Sequence, residues 1–375
     1  MMQISPETQL FIREHSSDDV RVLALQAKKY PDIDMPTAIT QIAGRKVAAE
    51  KIPSWWEIEK IWYPKHLSLE QCSSEITARY KARLLQGDSL TDLTGGFGID
   101  CSFLATGFKS ATYVERQEEL CEIAAHNFPV LNLNHINIKN EDGVTYLQVM
   151  SPVDSLFLDP ARRNEHGGKT VAISDCEPNV AELEELLLQK ANRVMIKLSP
   201  MLDLSLALKE LKQTQEVHIL SVNNECKELL ILLGQTSPAE ISIHCVNLFT
   251  KGTQKEQHFV FTREQEQCSE CTYTDSLETY LYEPNASLLK AGAFRSIAAA
   301  YPVRKLHPNS HLYTSDTFIE NFPGRIFRIV NQCSFNKKEV KENLADLKKA
   351  NVTVRNFPAT VAELRKRIHL AEGGR

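Results

Sequence analysis

The chain has 375 residues, 42% of them apolar, and a net charge of −5, which is enough for two or three domains and too apolar for a disordered chain. No apolar run reaches the length of a transmembrane helix, and MMQISPETQLFIREHSSDDVR at the start turns polar too early for a secretory signal. The charge is uneven: Phe294 to Arg375 holds 15 Lys/Arg against 7 Asp/Glu, and the rest of the chain holds 28 against 41.

A basic end on an acidic body points to a polyanionic partner, the alternative being a solvated, lysine-rich helix face. Nine cysteines, an odd number without framework spacing, predict reduced thiols and a cytoplasmic protein. Cys268 and Cys271 form a lone C-x-x-C without a second pair, so no metal is expected.

Residues 1–85 read as helical. DDVRVLALQAKKY and MPTAITQIAGRKVAAEKI carry apolar residues at three- and four-residue spacing. PSWWEIEKIWYPKHL interrupts them as a packed linker, and SSEITARYKARLL restarts a helix with Ser73 or Ser74 as its N-cap. From about Ser89, strands alternate with helices. SLTDLT, SATYVE, HINIKN, DSLFLD and RVMIKLSP are strands; IDCSFLATGF, QEELCEIAAHNFPVL and VAELEELLLQKA are helices between them. This alternation predicts a parallel sheet covered on both faces. EVHILSVNN and KELLILLG follow each other without a helix, as an antiparallel closing pair, and ISIHCVNLF and QHFVFTRE continue as strands. GRIFRIV (strand), NKKEVKENLADLKKA (helix), NVTVRNF (strand) and ATVAELRKRIHLA (helix) then form a small α+β module. The expected division is 1–85, 86–268 and 269–375.

LTDLTGGFGID places Gly95, Gly96 and Gly98 between the first strand and the first helix, where open α/β sheets bind ligands. A dinucleotide fold wants G-x-G-x-x-G; here Cys101 takes the last position and an acid, Asp92, precedes the glycines. A carboxylate there repels pyrophosphate but accepts a hydrogen bond from an ammonium group. Acid, short spacer and glycine turn form the pattern that binds S-adenosylmethionine. Glu115 ends the second strand, where an acid holds both ribose hydroxyls, and Asp142 follows the third strand, where an acid lies near adenine. The fourth strand ends in Asp159-Pro160. Proline keeps the residue before it extended, so Asp159 is held at the strand tip as an orienting acceptor or proton acceptor for methyl transfer.

Through DLTGGFGID, YVERQ, EDG and FLDPARR the chain resembles class I S-adenosylmethionine-dependent methyltransferases. It resembles in particular a bacterial group in which QCSSEITARYKA precedes the catalytic fold and a C-terminal THUMP-like domain follows it. The resemblance implies a Rossmann-like seven-stranded sheet, an N-terminal helical segment and a small C-terminal α+β (ferredoxin-like, THUMP-like) module. It implies cofactor contacts from Ser74, Glu75 and Thr77 as well as Asp92, Thr94, Gly95, Gly96, Gly98, Glu115, Arg116, Asp142 and Gly143. Asp159, Pro160 and Arg162 become the transfer-site residues, and Arg162, Arg163, Lys197 and Ser199 the substrate contacts. For the arginines, a salt bridge to Glu182–Glu185 is the alternative.

The THUMP-like module implies an RNA substrate. Enzymes of exocyclic base nitrogens carry two prolines and an aromatic at this tip, where the chain has Ala161 and Arg162, so the resemblance does not extend to that acceptor. Methylation of pyrimidine C5 needs a cysteine nucleophile; the one nearby, Cys226, reads as a structural thiol. The expected function is direct methyl transfer to tRNA or rRNA, without metal or membrane. The alternatives are a DNA or small-molecule acceptor, or a non-catalytic RNA-binding protein that keeps the fold.

Overall fold

The structure, a computed structural model, describes residues 4–162, 172–236, 238–355 and 357–373. The chain forms two compact units, residues 1–244 with 248–256 and residues 245–247 with 257–375.

The first unit is built on seven strands: β1 Ser89–Asp92, β2 Ser110–Glu115, β3 Ile136–Asn140, β4 Val153–Leu158, β5 Ala191–Leu198, β6 Thr214–Val222 and β7 Glu225–Gly234. They lie in the order 3-2-1-4-5-7-6 within a nine-stranded sheet. β1 to β5 are mutually parallel, and β7 runs antiparallel between β5 and β6. The seven expected strands are present with the predicted antiparallel pair, but that pair does not close the sheet, which has nine strands. Asn223 and Asn224, both at positive φ (49° and 67°), make the two-residue turn from β6 to β7, a conformation that asparagine tolerates better than most residues. Leu229 to Leu233 of β7 are fully buried, as a strand between two neighbours requires.

The predicted helices appear as Ile99–Ala105, Glu118–Val130 and Val180–Lys190; Gly143–Val149 and Leu204–Glu210 were not predicted. Both are seven residues long. The N-terminal helices are Pro6–Glu14, Val20–Leu25, Met35–Lys51, Pro53–Trp56, His66–Gln71 and Glu75–Ala82. Ser5 and Asp34 cap two of them, each followed at once or nearly so by proline, the usual start signal. The Trp-rich linker is packed as expected: Trp55, Ile61 and Tyr63 share a core cluster with Phe97, Ile99 and Ile123. Ala48 to Ala78 therefore pack into the first unit's core, while Phe11, Leu23, Met35, Ala38 and Ile42 form a cluster of their own.

In the second unit, strands Arg304–His307, Ser310–Ser315, Tyr280–Pro284 and Gly324–Arg328 form an antiparallel sheet in that order. The buried Glu283 carboxylate pairs with Arg325 and with Arg355. Helices Lys337–Leu344 and Val361–Ile368 follow. Asn351 to Arg355 of NVTVRNF form no strand, and Asn356 lies outside the described residues. Val352 and Val354 keep an alternating half-burial, but the only ladder after Arg328 among the described residues pairs Lys349–Ala350 with Ala371–Glu372. Alternation without a partner strand is not enough to make a sheet.

Candidate active site

The parallel register brings the tips of β1, β2 and β4 to one edge, with Asp92 opposite Tyr113 on one side and Phe157 on the other. The chain then turns through the glycines. Gly96 (φ 54°) and Gly98 (φ 86°) are left-handed, a conformation that costs other residues about 1–2 kcal/mol. A Cβ on Gly95 would sit 2.2 Å from the Tyr113 ring. Tyr113 supports the turn from behind, and its hydroxyl donates to the Gly96 carbonyl at 2.5 Å. On its other side Gly96 is open, since a Cβ there would meet nothing nearer than the Thr94 carbonyl at 3.8 Å.

Asp92 is buried. Its Oδ1 accepts from the Thr94 amide at 2.9 Å, while Oδ2 accepts no hydrogen bond among the described residues. Burial pushes its pKa well above the ordinary carboxylate range; the Thr94 amide opposes this, and the Asp100, Asp159 and Glu115 carboxylates reinforce it. A buried acceptor without a donor is costly, so this oxygen suits a donor that the protein itself does not supply. Glu115 Oε2 accepts the Gly96 amide at 2.9 Å and Oε1 the Gln117 amide at 2.8 Å, which holds both oxygens at the turn. An orphaned carboxylate oxygen, an open glycine face and a second fixed carboxylate fit the amino and ribose groups of S-adenosylmethionine.

Thr94 joins this turn to the fourth strand by accepting the Asp159 amide at 2.6 Å. Asp159 lies beside Lys197, because β4 and β5 pair Leu158 with Ile196. Lys197 Nζ stands 2.5 Å from Asp159 Oδ2, 3.2 Å from Asp100 Oδ2 and 3.0 Å from Ser73 Oγ. Ser73 in turn donates to Asp100 at 2.7 Å. Behind it, the fully buried Lys81 ammonium reaches Asp100 Oδ1 at 2.9 Å, Glu228 Oε2 at 2.6 Å and Ser73 Oγ at 2.8 Å. A continuous chain of charges thus runs Glu228–Lys81–Asp100–Lys197–Asp159.

Desolvation alone would raise the Asp100 pKa, but the two ammonium groups and the Ser73 hydrogen bond outweigh it and hold it at about 2. Desolvation also works against the Lys197 charge, yet Asp159, Asp100 and Glu228 lift its pKa well above the usual lysine range. Lys197 is a fixed cation and not a proton acceptor. Burial of its carboxylate pushes the Asp159 pKa upward, Lys197 opposes the shift and Asp100 adds to it, although 37% of the side-chain surface stays exposed.

The other expected site residues are spread more widely. Ser74 and Thr77 engage each other at 3.2 Å, and Thr77 also donates to the Ser74 carbonyl. Glu75 accepts from Arg79 and from the Ser54 amide, so within this segment it is Ser73 that joins the ion chain. Asp142 is exposed and caps Gly143–Val149 by accepting from Val144 and Thr145 at 3.0 Å. Gly143 lies so close to the chain that a Cβ would stand 2.2 Å from the Leu93 carbonyl, so its place is fixed by packing on the glycine-turn strand.

Arg116 is exposed, 3.6 Å from Glu177. Pro160 is buried, and Ser199 Oγ accepts the Met201 amide at 3.3 Å. Arg163 and the side chain of Arg162 lie outside the described residues. Lys81, Asp100, Glu228 and Tyr113 were not anticipated.

Two family models match the second unit: a ferredoxin-like domain at residues 280–323 and a THUMP domain-like model at 324–375. No curated protein matches the chain. Among solved structures, a "putative methyltransferase" from Porphyromonas gingivalis W83 is 34% identical, with a TM-score of 0.87, over 100% of this chain and 94% of its own. TrmK from M. capricolum in complex with S-adenosyl-homocysteine is 12% identical, with a TM-score of 0.34, over 43% of this chain and 68% of its own; at that level the likeness carries no weight. The long match at 34% identity, the sheet order and the C-terminal family match agree, and the chain belongs to the bacterial class I S-adenosylmethionine-dependent methyltransferases that carry a C-terminal THUMP-like domain.

Proposed function

We propose that this chain binds S-adenosylmethionine at the glycine turn and transfers its methyl group directly to a nucleotide of tRNA or rRNA. The observation that carries the reading is Asp92 Oδ2, a buried carboxylate oxygen without a donor among the described residues, beside the open face of Gly96. S-adenosylmethionine supplies an electrophilic methyl on a sulfonium centre. Asp92 accepts from its amino group, Glu115 takes the ribose hydroxyls, and Asp142 stands near the adenine.

At the β4 tip, Asp159 faces the acceptor and Lys197 holds its carboxylate in place. Because Lys197 keeps its proton, Asp159 is the group left to orient the attacking atom or take a proton from it, and a raised pKa suits that task. Much of the rate comes from holding nucleophile and methyl in line. RNA as acceptor is supported by the THUMP domain-like match and by the basic balance after Phe294.

The test is a calorimetric titration of S-adenosylmethionine into the parent, Asp92→Ala and Glu115→Ala proteins. Micromolar binding by the parent, lost in both folded variants, is expected. A folded parent that does not bind overturns the reading.

A further inference from the structure

A second group of side chains lies away from the glycine turn, toward the end of the same sheet. Glu216 and His218 are two residues apart on β6 and so face the same side; His244 lies on the strand Ser242–Leu248, which runs beside β6. One potential ligand atom from each of the three lies within 4.8 Å of the others. His218 is almost wholly buried, and its Nε2 is 3.2 Å from Glu216 Oε2. Bonds of about 2.1 Å to a tetrahedral ion place ligand atoms about 3.4 Å apart, so this pair already stands at coordination spacing.

The surroundings are those of a supported site. The Tyr80 hydroxyl meets His218 Nδ1 at 2.9 Å, which fixes the ring and leaves Nε2 toward Glu216; metal-bound histidines are held in this way. Arg193 binds the other Glu216 oxygen, Oε1, at 3.0 Å and so orients Oε2 toward His218. The His244 ring stacks on His218, with centroids 4.3 Å apart and planes 15° from parallel. Parallel rings do not aim both lone pairs at one point, so coordination by both requires His244 to turn out of the stack.

We propose that Glu216, His218 and His244 bind one divalent transition-metal ion, zinc by the chemistry of the set. Two imidazoles and one carboxylate suit zinc far better than magnesium or calcium, which prefer all-oxygen shells. The ion ties β6 to the strand beside it, and through Tyr80 it braces the helix Glu75–Ala82, which carries Lys81. The site is independent of the methyltransferase reading and runs against the expectation, drawn from the isolated Cys268-x-x-Cys271, that the protein holds no metal.

The test uses the full chain stripped with a chelator. Zinc is titrated in competition with a chromophoric chelator, and cobalt(II) is added to read its visible absorption. Parent, His244→Gln, Glu216→Gln, Tyr80→Phe and the double variant Cys268→Ser/Cys271→Ser are compared, with circular dichroism to confirm that each is folded. The expected result is one zinc per parent chain, with a tetrahedral cobalt spectrum free of thiolate charge-transfer bands. Affinity falls at least about 100-fold in His244→Gln and Glu216→Gln, about 10-fold in Tyr80→Phe, and not at all in the cysteine variant. A folded parent that binds no stoichiometric zinc overturns the proposal, as does binding that survives His244→Gln and Glu216→Gln or that disappears with the two cysteines.

Discussion

The Lys197 ammonium stands 2.5 Å from the Asp159 carboxylate and 3.2 Å from that of Asp100. It therefore links the tip of β4, where transfer is proposed, to the first turn of the helix after the glycines. Lys81 extends the chain to Glu228 on β7. The tip is thus held by charges anchored in three strands and two helices rather than by a loop.

Removing either ammonium should be costly, because it leaves carboxylates buried without a partner. Lys81→Met isolates Glu228 and half of Asp100, and the expected loss is about 3–5 kcal/mol of unfolding free energy. Urea denaturation checks it. A loss below about 1 kcal/mol would mean that the buried carboxylates are satisfied in another way.

Asp100 gives this network a pH signature. Its pKa is held at about 2 in the folded chain, below the ordinary 3.8. A depressed acid adds stability that is fully present above the unfolded value and lost as pH falls through the folded one. Parent stability should therefore fall between about pH 3.8 and about pH 2 more steeply than that of Asp100→Asn. Equal slopes in denaturation curves across that window would contradict the assignment.

Asp92 sets a pH dependence for ligand binding. Burial raises its pKa, and an ammonium donor is best held by the ionised form. Affinity for S-adenosylmethionine should therefore strengthen as pH rises through the Asp92 pKa, and the trend should vanish in Asp92→Asn. Titrations at a series of pH values decide it, and a parent affinity that does not change with pH counts against the role.

The glycine turn is sensitive at Gly95, where a Cβ would meet the Tyr113 ring at 2.2 Å. Gly95→Ala should cost about 1–3 kcal/mol through overpacking and weaken cofactor binding by moving the turn. Tyr113→Phe, which loses only the bond to the Gly96 carbonyl, should cost about 1 kcal/mol. Thermal unfolding and the same ligand titration measure both.

Local signals carried a long way in this chain. Alternating strand and helix segments, the antiparallel pair EVHILSVNN and KELLILLG, and the acids at the strand ends at 92, 115 and 142 all depend on residues close in sequence, and each stands where its neighbours placed it. The ion chain was not legible, because Lys81 and Glu228 lie on a helix and a strand far apart in sequence and look like ordinary surface residues until folding buries them. Tyr113 read only as a β-former, although its hydroxyl and ring support the glycine turn. Ser74, Glu75 and Thr77 were read by resemblance as cofactor contacts; Ser73 was read only as an N-cap, and its side chain enters the ion network. NVTVRNF failed for the converse reason: its pattern is that of a strand, but pairing needs a partner that the pattern does not contain.

The central claim is methyl transfer to RNA. The most direct measurement supplies methyl-tritiated S-adenosylmethionine and the full-length enzyme to RNA and, separately, to DNA from cells in which the gene has been deleted. The account predicts label in a tRNA or rRNA fraction, none in DNA, and none in either with Asp92→Ala. Label in DNA alone, or none in any nucleic acid from a parent that binds the cofactor, would contradict it.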